Sequence, residues 1–181
     1  MSQSESTVTF TIDQFNTIMP NNSGRATTYV YLLNEAMLQF AIVTAKRASA
    51  FIAQVAHESG ELRYVREIAD GSQYEGRVDL GNTQPGDGHR YVGRGLIQVT
   101  GRTNYLAAGA ALGLDLIAHP ELLEDSHNAT FVSGWFWKSR GLNELADSDA
   151  FGAITKKING GFNGLDSRLG YWLRARKCSG L

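Results

Sequence analysis

The residues best suited to chemistry in this chain are His57-Glu58-Ser59-Gly60, which put a carboxylic acid at the end of an otherwise apolar helical stretch. Upstream of it, Ala48, Phe51, Ile52 and Val55 recur at helical spacing, and Gly60 supplies a stop signal. Glu58 follows Val55 by three residues and so leaves the helix on or near its buried face, where desolvation favours the neutral acid over the carboxylate. A carboxyl so placed can donate a proton near neutral pH, which is the work of a general acid.

An acid that protonates a glycosidic oxygen needs a second carboxylate, roughly 6.5 to 9.5 Å away when the reaction inverts the anomeric centre. Three candidates follow closely: Glu61, Glu67 in Tyr64-Val65-Arg66-Glu67-Ile68, and Glu75 in Tyr74-Glu75-Gly76-Arg77. Glu61 stands just beyond the helix stop and is expected in solvent. Glu67 and Glu75 each have an arginine nearby to hold the charged form, so the choice between them stays open. Further on, Gly93-Arg94-Gly95-Leu96-Ile97-Gln98 has two glycines of a dinucleotide fingerprint, but Gln98 replaces the third and no βαβ pattern surrounds it. The alternation through Val99 and Thr100 reads instead as an extended piece with Gln98 and Thr100 on one face, an amide and a hydroxyl able to hold a sugar hydroxyl or a water.

Metal chemistry is not expected. A zinc-protease helix would need a second histidine four residues after His57, and position 61 is Glu61. His89, His119 and His127 show no tight ligand spacing. No cofactor is expected either.

The elements that must position these groups are mainly helical. Thr11-Ile12-Asp13-Gln14 has the form of a capping box opening a short helix before Pro20, and residues 24–40 carry Val30, Leu33, Met37 and Phe40 at helical spacing. The helix ending at Glu58 is the third. Four more are predicted over 103–112, 125–139, 148–158 and 167–176, with Gly113, Gly141 and Gly160 as stops for the first three. Between the two helical groups, residues 61–101 hold eight glycines without sustained periodicity, which predicts loops and short strands forming one wall of a cleft. The expected organisation is a single catalytic domain over residues 1–181, with a helical frame over 8–60 and 102–177 and an inserted lobe over 61–101.

Composition narrows the function classes. The 181 residues are 43% hydrophobic, enough for a sizeable core, and the formal net charge of -1 gives no basic face for nucleic acid. Arg168, Arg174, Arg176 and Lys177 form a basic stretch that reads as a solvated last helix. The one cysteine, Cys178, precludes an internal disulfide and suits a reducing cytoplasm. Residues 1–7 lack a basic start followed by an apolar run, and no later stretch is apolar for long enough to span a bilayer, so stable membrane insertion is not expected. A monomer is expected, because no coiled coil or apolar tail is evident.

Taken in order, Ala56-His57-Glu58-Ser59-Gly60, Arg66-Glu67, Tyr91-Val92-Gly93-Arg94-Gly95-Leu96-Ile97-Gln98-Val99-Thr100, Asn104-Tyr105 and Lys157-Ile158-Asn159-Gly160-Gly161 resemble glycoside hydrolase family 19. Tyr74-Glu75-Gly76-Arg77, residues 79–88 and residues 136–143 look like its compact phage and prophage endolysin branch. The resemblance covers residues 8–177. It implies a lysozyme-like, bilobal, mainly α fold and inverting hydrolysis of a β-1,4 bond between amino sugars. By matching motifs it implies Glu58 as general acid and Glu67 as general base, with Glu75 as the rival base and Thr100 positioning the water. His57, Arg94, Gln98, Asn104, Tyr105, Asn159 and Arg168 would contact substrate. Thr100 stands where the chitinases of the family carry serine, and the interval from Glu58 to Glu67 is shorter than in the plant enzymes. The implied function is a muramidase acting on bacterial peptidoglycan strands. It would wait in the host cytoplasm until a separate membrane-permeabilising protein admits it to the cell wall in the periplasm. Chitin hydrolysis and non-catalytic binding of wall glycan are the alternatives.

Overall fold

Small residues at 48, 49, 50, 53 and 56 let neighbours approach one helix from every side, and residues 48–56 are buried without a break. This is α3 (Ala45–Glu58), opened by Thr44, whose hydroxyl accepts from the Arg47 amide at 3.3 Å. The apolar spacing predicts one buried face; the alanines and Ser49 extend burial to the whole circumference. The computed structural model describes residues 7–181, and the reading of the N-terminal segment falls largely on residues 1–6, which lie outside the described residues.

The other helices are α1 (Ile12–Ile18), α2 (Ala26–Gln39), a four-residue α4 (Asp87–Arg90), α5 (Arg102–Leu112), α6 (Ser126–Ser139), α7 (Leu142–Asp147), α8 (Phe151–Asn159) and α9 (Leu165–Cys178). The frame is thus mainly helical, as expected. The capping box at Thr11 and Gln14 forms in full. Gly113 and Gly160 close α5 and α8 in the left-handed conformation that glycine adopts at low cost. α9 packs against α3 more extensively than any other helix does. Phe51 of α3 meets Trp137 of α6 edge to face at 5.4 Å, and the Trp137 indole donates to Asn143 at 2.9 Å.

Two helices depart from the predicted set. α7 was hidden because Gly141 reads as a stop; it does follow the end of α6, but at φ 64° it also launches a new turn in which Leu142 and Ala146 are buried. Accordingly α8 begins at Phe151, not 148. The short α4 lies within the glycine-rich wall.

That wall contains little strand. Besides α4, its regular structure among the described residues is two isolated bridges, Arg66 with Arg94 and Arg94 with Val99, and the single-turn helices Ser72–Tyr74 and Val78–Leu80. The extended piece expected through Gln98 is a tight turn, because Gly95 (φ 80°) and Gln98 (φ 57°) are left-handed and Arg94 and Val99 exchange backbone hydrogen bonds at 3.0 and 2.7 Å. Two attachments fix the wall. Gly95 lies so close to α6 that a β-carbon there would sit 2.5 Å from Val132 Cγ1, and the Leu96 amide donates to Ala129 O at 3.2 Å. Asp87, 1% exposed, accepts from Arg102 Nη2 at 2.6 Å and Nε at 2.9 Å, joining α4 to α5.

Gly95→Ala should lower unfolding free energy by at least ~2 kcal/mol, because it adds a clash to an unfavourable backbone region; thermal and urea denaturation measure it. For Asp87, the hydrogen bond from Arg102 holds the carboxyl below its ordinary range. A depressed folded value gives stability that is full above the unfolded carboxylate range, about pH 4, and lost as pH falls through the folded value. Asp87→Asn should therefore lower the melting temperature at pH 7 and flatten its decline in acid, as a pH series of melting curves would show.

Candidate active site

Glu58 is the last residue of α3, and Arg168 in the first turn of α9 reaches it from 110 positions away. Arg168 Nη2 lies 2.6 Å from Glu58 Oε1, Nη1 donates to Gln54 Oε1, and Nε donates to Asn163 O at 3.4 Å. Gln54 precedes Glu58 by four residues, one helical turn, and its amide donates to Thr155 Oγ1 of α8 at 2.9 Å. A polar chain through the core therefore ends at the Glu58 carboxylate, whose side chain is 18% exposed. This differs from the apolar enclosure expected from the sequence: a guanidinium, not hydrocarbon, is the close neighbour. Arg168 also departs from the expected solvated tail: it is 2% exposed, and a charge buried so deeply must be surrounded by acceptors.

His57 is half buried beside this pair. Its Nδ1 is 3.1 Å from Ser167 Oγ, and its ring covers Gly164 so closely that a β-carbon there would lie 2.3 Å from the imidazole. Burial, then the Arg168 charge, lowers the His57 pKa against the opposing pull of Glu58, which favours a neutral ring. Asn159 is exposed and donates to Asn163 O at 2.9 Å, bracing the loop that accepts from Arg168.

A second cluster gathers around Gly93. A β-carbon on Gly93 would lie 2.5 Å from Glu67 Oε2, 3.1 Å from Gln98 Oε1 and 3.2 Å from Thr100 Oγ1, so these three side chains converge where this glycine leaves room. The Glu67 amide donates to Gly93 O at 3.0 Å. Glu67 also accepts from Tyr74 Oη at 3.0 Å and from Gln73 Nε2 at 3.2 Å, and burial, with the Glu67 carboxylate adding to it, raises the Tyr74 pKa. Gln98 donates to Gly95 O at 3.0 Å, while its Oε1 is buried with no hydrogen-bond partner among the described residues. A buried acceptor without a donor marks a place for a ligand hydroxyl or amide, or a water.

Other expected site residues have different positions. Glu75 commits both oxygens to backbone amides, Gly86 N at 2.7 Å and Gly88 N at 2.8 Å, and so fastens the wall loop. None of the arginines near the candidate bases serves one: Arg66 turns to Glu124 at 3.7 Å, as Arg94 does at 2.7 Å, and Arg77 pairs with Asp79 at 2.6 Å. Arg94, 5% exposed, and Tyr105, 0% exposed and bonded to Arg94 Nη1 at 3.0 Å, are buried residues whose polar groups face each other. Asn104 donates to Thr100 O at 2.7 Å and accepts from Arg140 at 3.1 Å, so it steadies Thr100 from behind. Glu61, expected in solvent, is 6% exposed.

Gln54, Thr155, Gln73 and Tyr74 are the supporting residues that sequence reading passed over. Gln54 had a signal, its four-residue spacing from Glu58; Thr155 had none, since its contact crosses 101 positions. Among the described residues no group of three or more His, Cys, Asp or Glu side chains is arranged to hold a metal.

The family model described as class I chitinase matches residues 39–149. An endochitinase of Arabidopsis thaliana is 37% identical over 146 residues, covering 77% of this chain and 50% of its own length. A glycosyl hydrolase family 19 domain-containing protein of Haemophilus influenzae is 30% identical over 187 residues, covering 85% and 89%. Among solved structures, chitinase C from Streptomyces griseus superposes with a TM-score of 0.77 at 28% identity over 94% of this chain and 92% of that one. The chain spans about half the length of the plant endochitinases it matches. The helical frame is therefore the lysozyme-like fold expected from the motifs, and the matched segment carries Glu58, Glu67, Gln98 and Thr100: the chain belongs to glycoside hydrolase family 19.

Proposed function

We propose that this protein hydrolyses the β-1,4 bond of a glycan built from N-acetylated amino sugars by an inverting general acid/base mechanism, with peptidoglycan as the substrate. The observation that carries the reading is the convergence of Glu67, Gln98 and Thr100 at Gly93, close in sequence to a second carboxylate, Glu58, seated by Arg168. In this mechanism Glu58 in its protonated form gives its proton to the leaving glycosidic oxygen. Glu67 draws a proton from a water held between it, Thr100 Oγ1 and Gln98, and that water attacks the anomeric carbon from the opposite face. Glu67 is preferred to Glu75 as base because both Glu75 oxygens already accept from the wall backbone. Arg168 stabilises the charge left on Glu58 once its proton has gone.

Peptidoglycan is favoured by the endolysin-like motifs of residues 74–88 and 136–143. On this reading the partner is the wall glycan strand, cleaved between N-acetylmuramic acid and N-acetylglucosamine, and access depends on a separate membrane-permeabilising protein. Chitin is the second reading, favoured because the similar plant proteins and solved structures are named as chitinases.

Digestion of purified peptidoglycan and of chitin oligomers, followed by mass spectrometry, separates the two: new N-acetylmuramic reducing ends are expected, and cleavage of chitin alone would select the second reading. Glu58→Gln should lose on the order of 10² to 10⁴ in kcat with its fold intact; near wild-type turnover would remove Glu58 from the mechanism. Gly93→Ala places a methyl group against Glu67 Oε2 and should reduce kcat on the order of 10²-fold, with a far-ultraviolet spectrum like that of the parent.

A further inference from the structure

Immediately after α3 the chain passes through three consecutive left-handed residues, Gly60 (φ 56°), Glu61 (φ 59°) and Leu62 (φ 67°). Glycine accepts this conformation; Glu61 and Leu62 adopt it against their own preference and must be held there. Leu62 is held by the core, 1% exposed, and by its amide, which donates to Ser59 Oγ at 2.8 Å. Glu61 is held by its carboxylate, which is 6% exposed and faces distant parts of the chain. Its Oε2 accepts from the Asn21 amide, and its Oε1 accepts from Asn21 Nδ2 at 3.1 Å and Tyr171 Oη at 2.8 Å. Arg25 Nε donates to the Glu61 carbonyl at 3.2 Å. Burial, with the Glu61 hydrogen bond adding to it, raises the Tyr171 pKa to about 12, so the phenol stays a donor.

We propose that Glu61 is a positioning residue that sets the end of the catalytic helix and the path from Glu58 to Glu67, by clamping the left-handed segment to the α1–α2 turn and to α9. The Glu61 amide donates to Ala56 O at 2.8 Å, and the Arg63 and Tyr64 amides donate to Ser59 O at 2.9 and 2.8 Å, so the clamp acts on the turn that carries Glu58. Nine positions separate the two carboxylates, and the clamped residues are the first part of that path. The inference rests on the reading of Glu58 and Glu67 as the reacting pair.

The test uses the full chain and chitin oligomers and peptidoglycan as substrates, comparing Glu61→Ala, Glu61→Gly, Glu61→Gln and Tyr171→Phe. Glu61→Gly restores backbone freedom but not the carboxylate, so it should melt higher than Glu61→Ala and yet share a kcat loss on the order of 10- to 10²-fold, with KM within about twofold. Glu61→Gln recovers most of that kcat, because the Tyr171 hydroxyl can rotate and the Asn21 amide can flip to match it. A Glu61→Gly protein with parental kcat, or a loss confined to KM, would overturn the clamp. If both truncations fail to fold, Tyr171→Phe decides: lower kcat at constant KM supports the clamp, and parental kcat refutes it. Glu58→Gln in the same assay keeps the two ideas apart, since its activity would refute the acid, whereas an inactive Glu58→Gln beside a fully active Glu61→Gly refutes only the clamp.

Discussion

A guanidinium with 2% of its surface in water is the constraint around which this molecule is arranged. Removing a buried charge from water costs several kcal/mol, and only a full set of acceptors offsets it. Arg168 therefore needs Glu58, Gln54 and the Asn163 carbonyl together, and Gln54 in turn needs Thr155. Those requirements bring α3, α8, α9 and the loop between the last two into one register. Removing one partner from such a pair costs on the order of 3 to 5 kcal/mol, a large fraction of the stability of a domain this size. The same contacts that hold the core together fix the orientation of the proposed acid.

The two carboxylates are supported in different ways. Glu58 stands at the end of a helix whose last turns are enclosed on all sides, and its position is set by side-chain hydrogen bonds. Glu67 stands on a wall with little regular structure, and its position is set by hydrogen bonds from Tyr74 and Gln73 together with Gly93, whose missing β-carbon leaves the space that three polar side chains occupy. The wall is held by Gly95 against α6 and by the Asp87–Arg102 pair against α5. Gln98 Oε1, which has no hydrogen-bond partner among the described residues, belongs to the Glu67 cluster.

Local signals in the sequence were dependable where local physics decides the outcome. The Thr11 capping box, the glycine ends of α5 and α8, and the helical spacing in α3 all depend on residues a few positions apart. Gly141 was ambiguous for the same reason, since one left-handed glycine can end a helix and begin another. The alternation at residues 96–100 misled because two left-handed residues fold it into a turn, although Gln98 and Thr100 still meet at Gly93. What could not be read were environments made by distant residues. Arg66 is adjacent to Glu67 in sequence yet pairs with Glu124, and Glu61 looked solvated because Asn21 and Tyr171 are 40 and 110 positions away.

The span of 110 positions between Glu58 and Arg168 has a further consequence, for the order in which the molecule acquires its chemistry during synthesis. A nascent chain that has emerged as far as α6 already carries both proposed reacting carboxylates and the wall around Glu67, but it has no cation for the glutamate at the end of α3. That helix end has no partner from α9 until the ribosome has translated α9 and the chain has closed on itself. Translation thus sets a delay before the proposed acid is seated, and a fragment interrupted before α9 would carry Glu58 without Arg168.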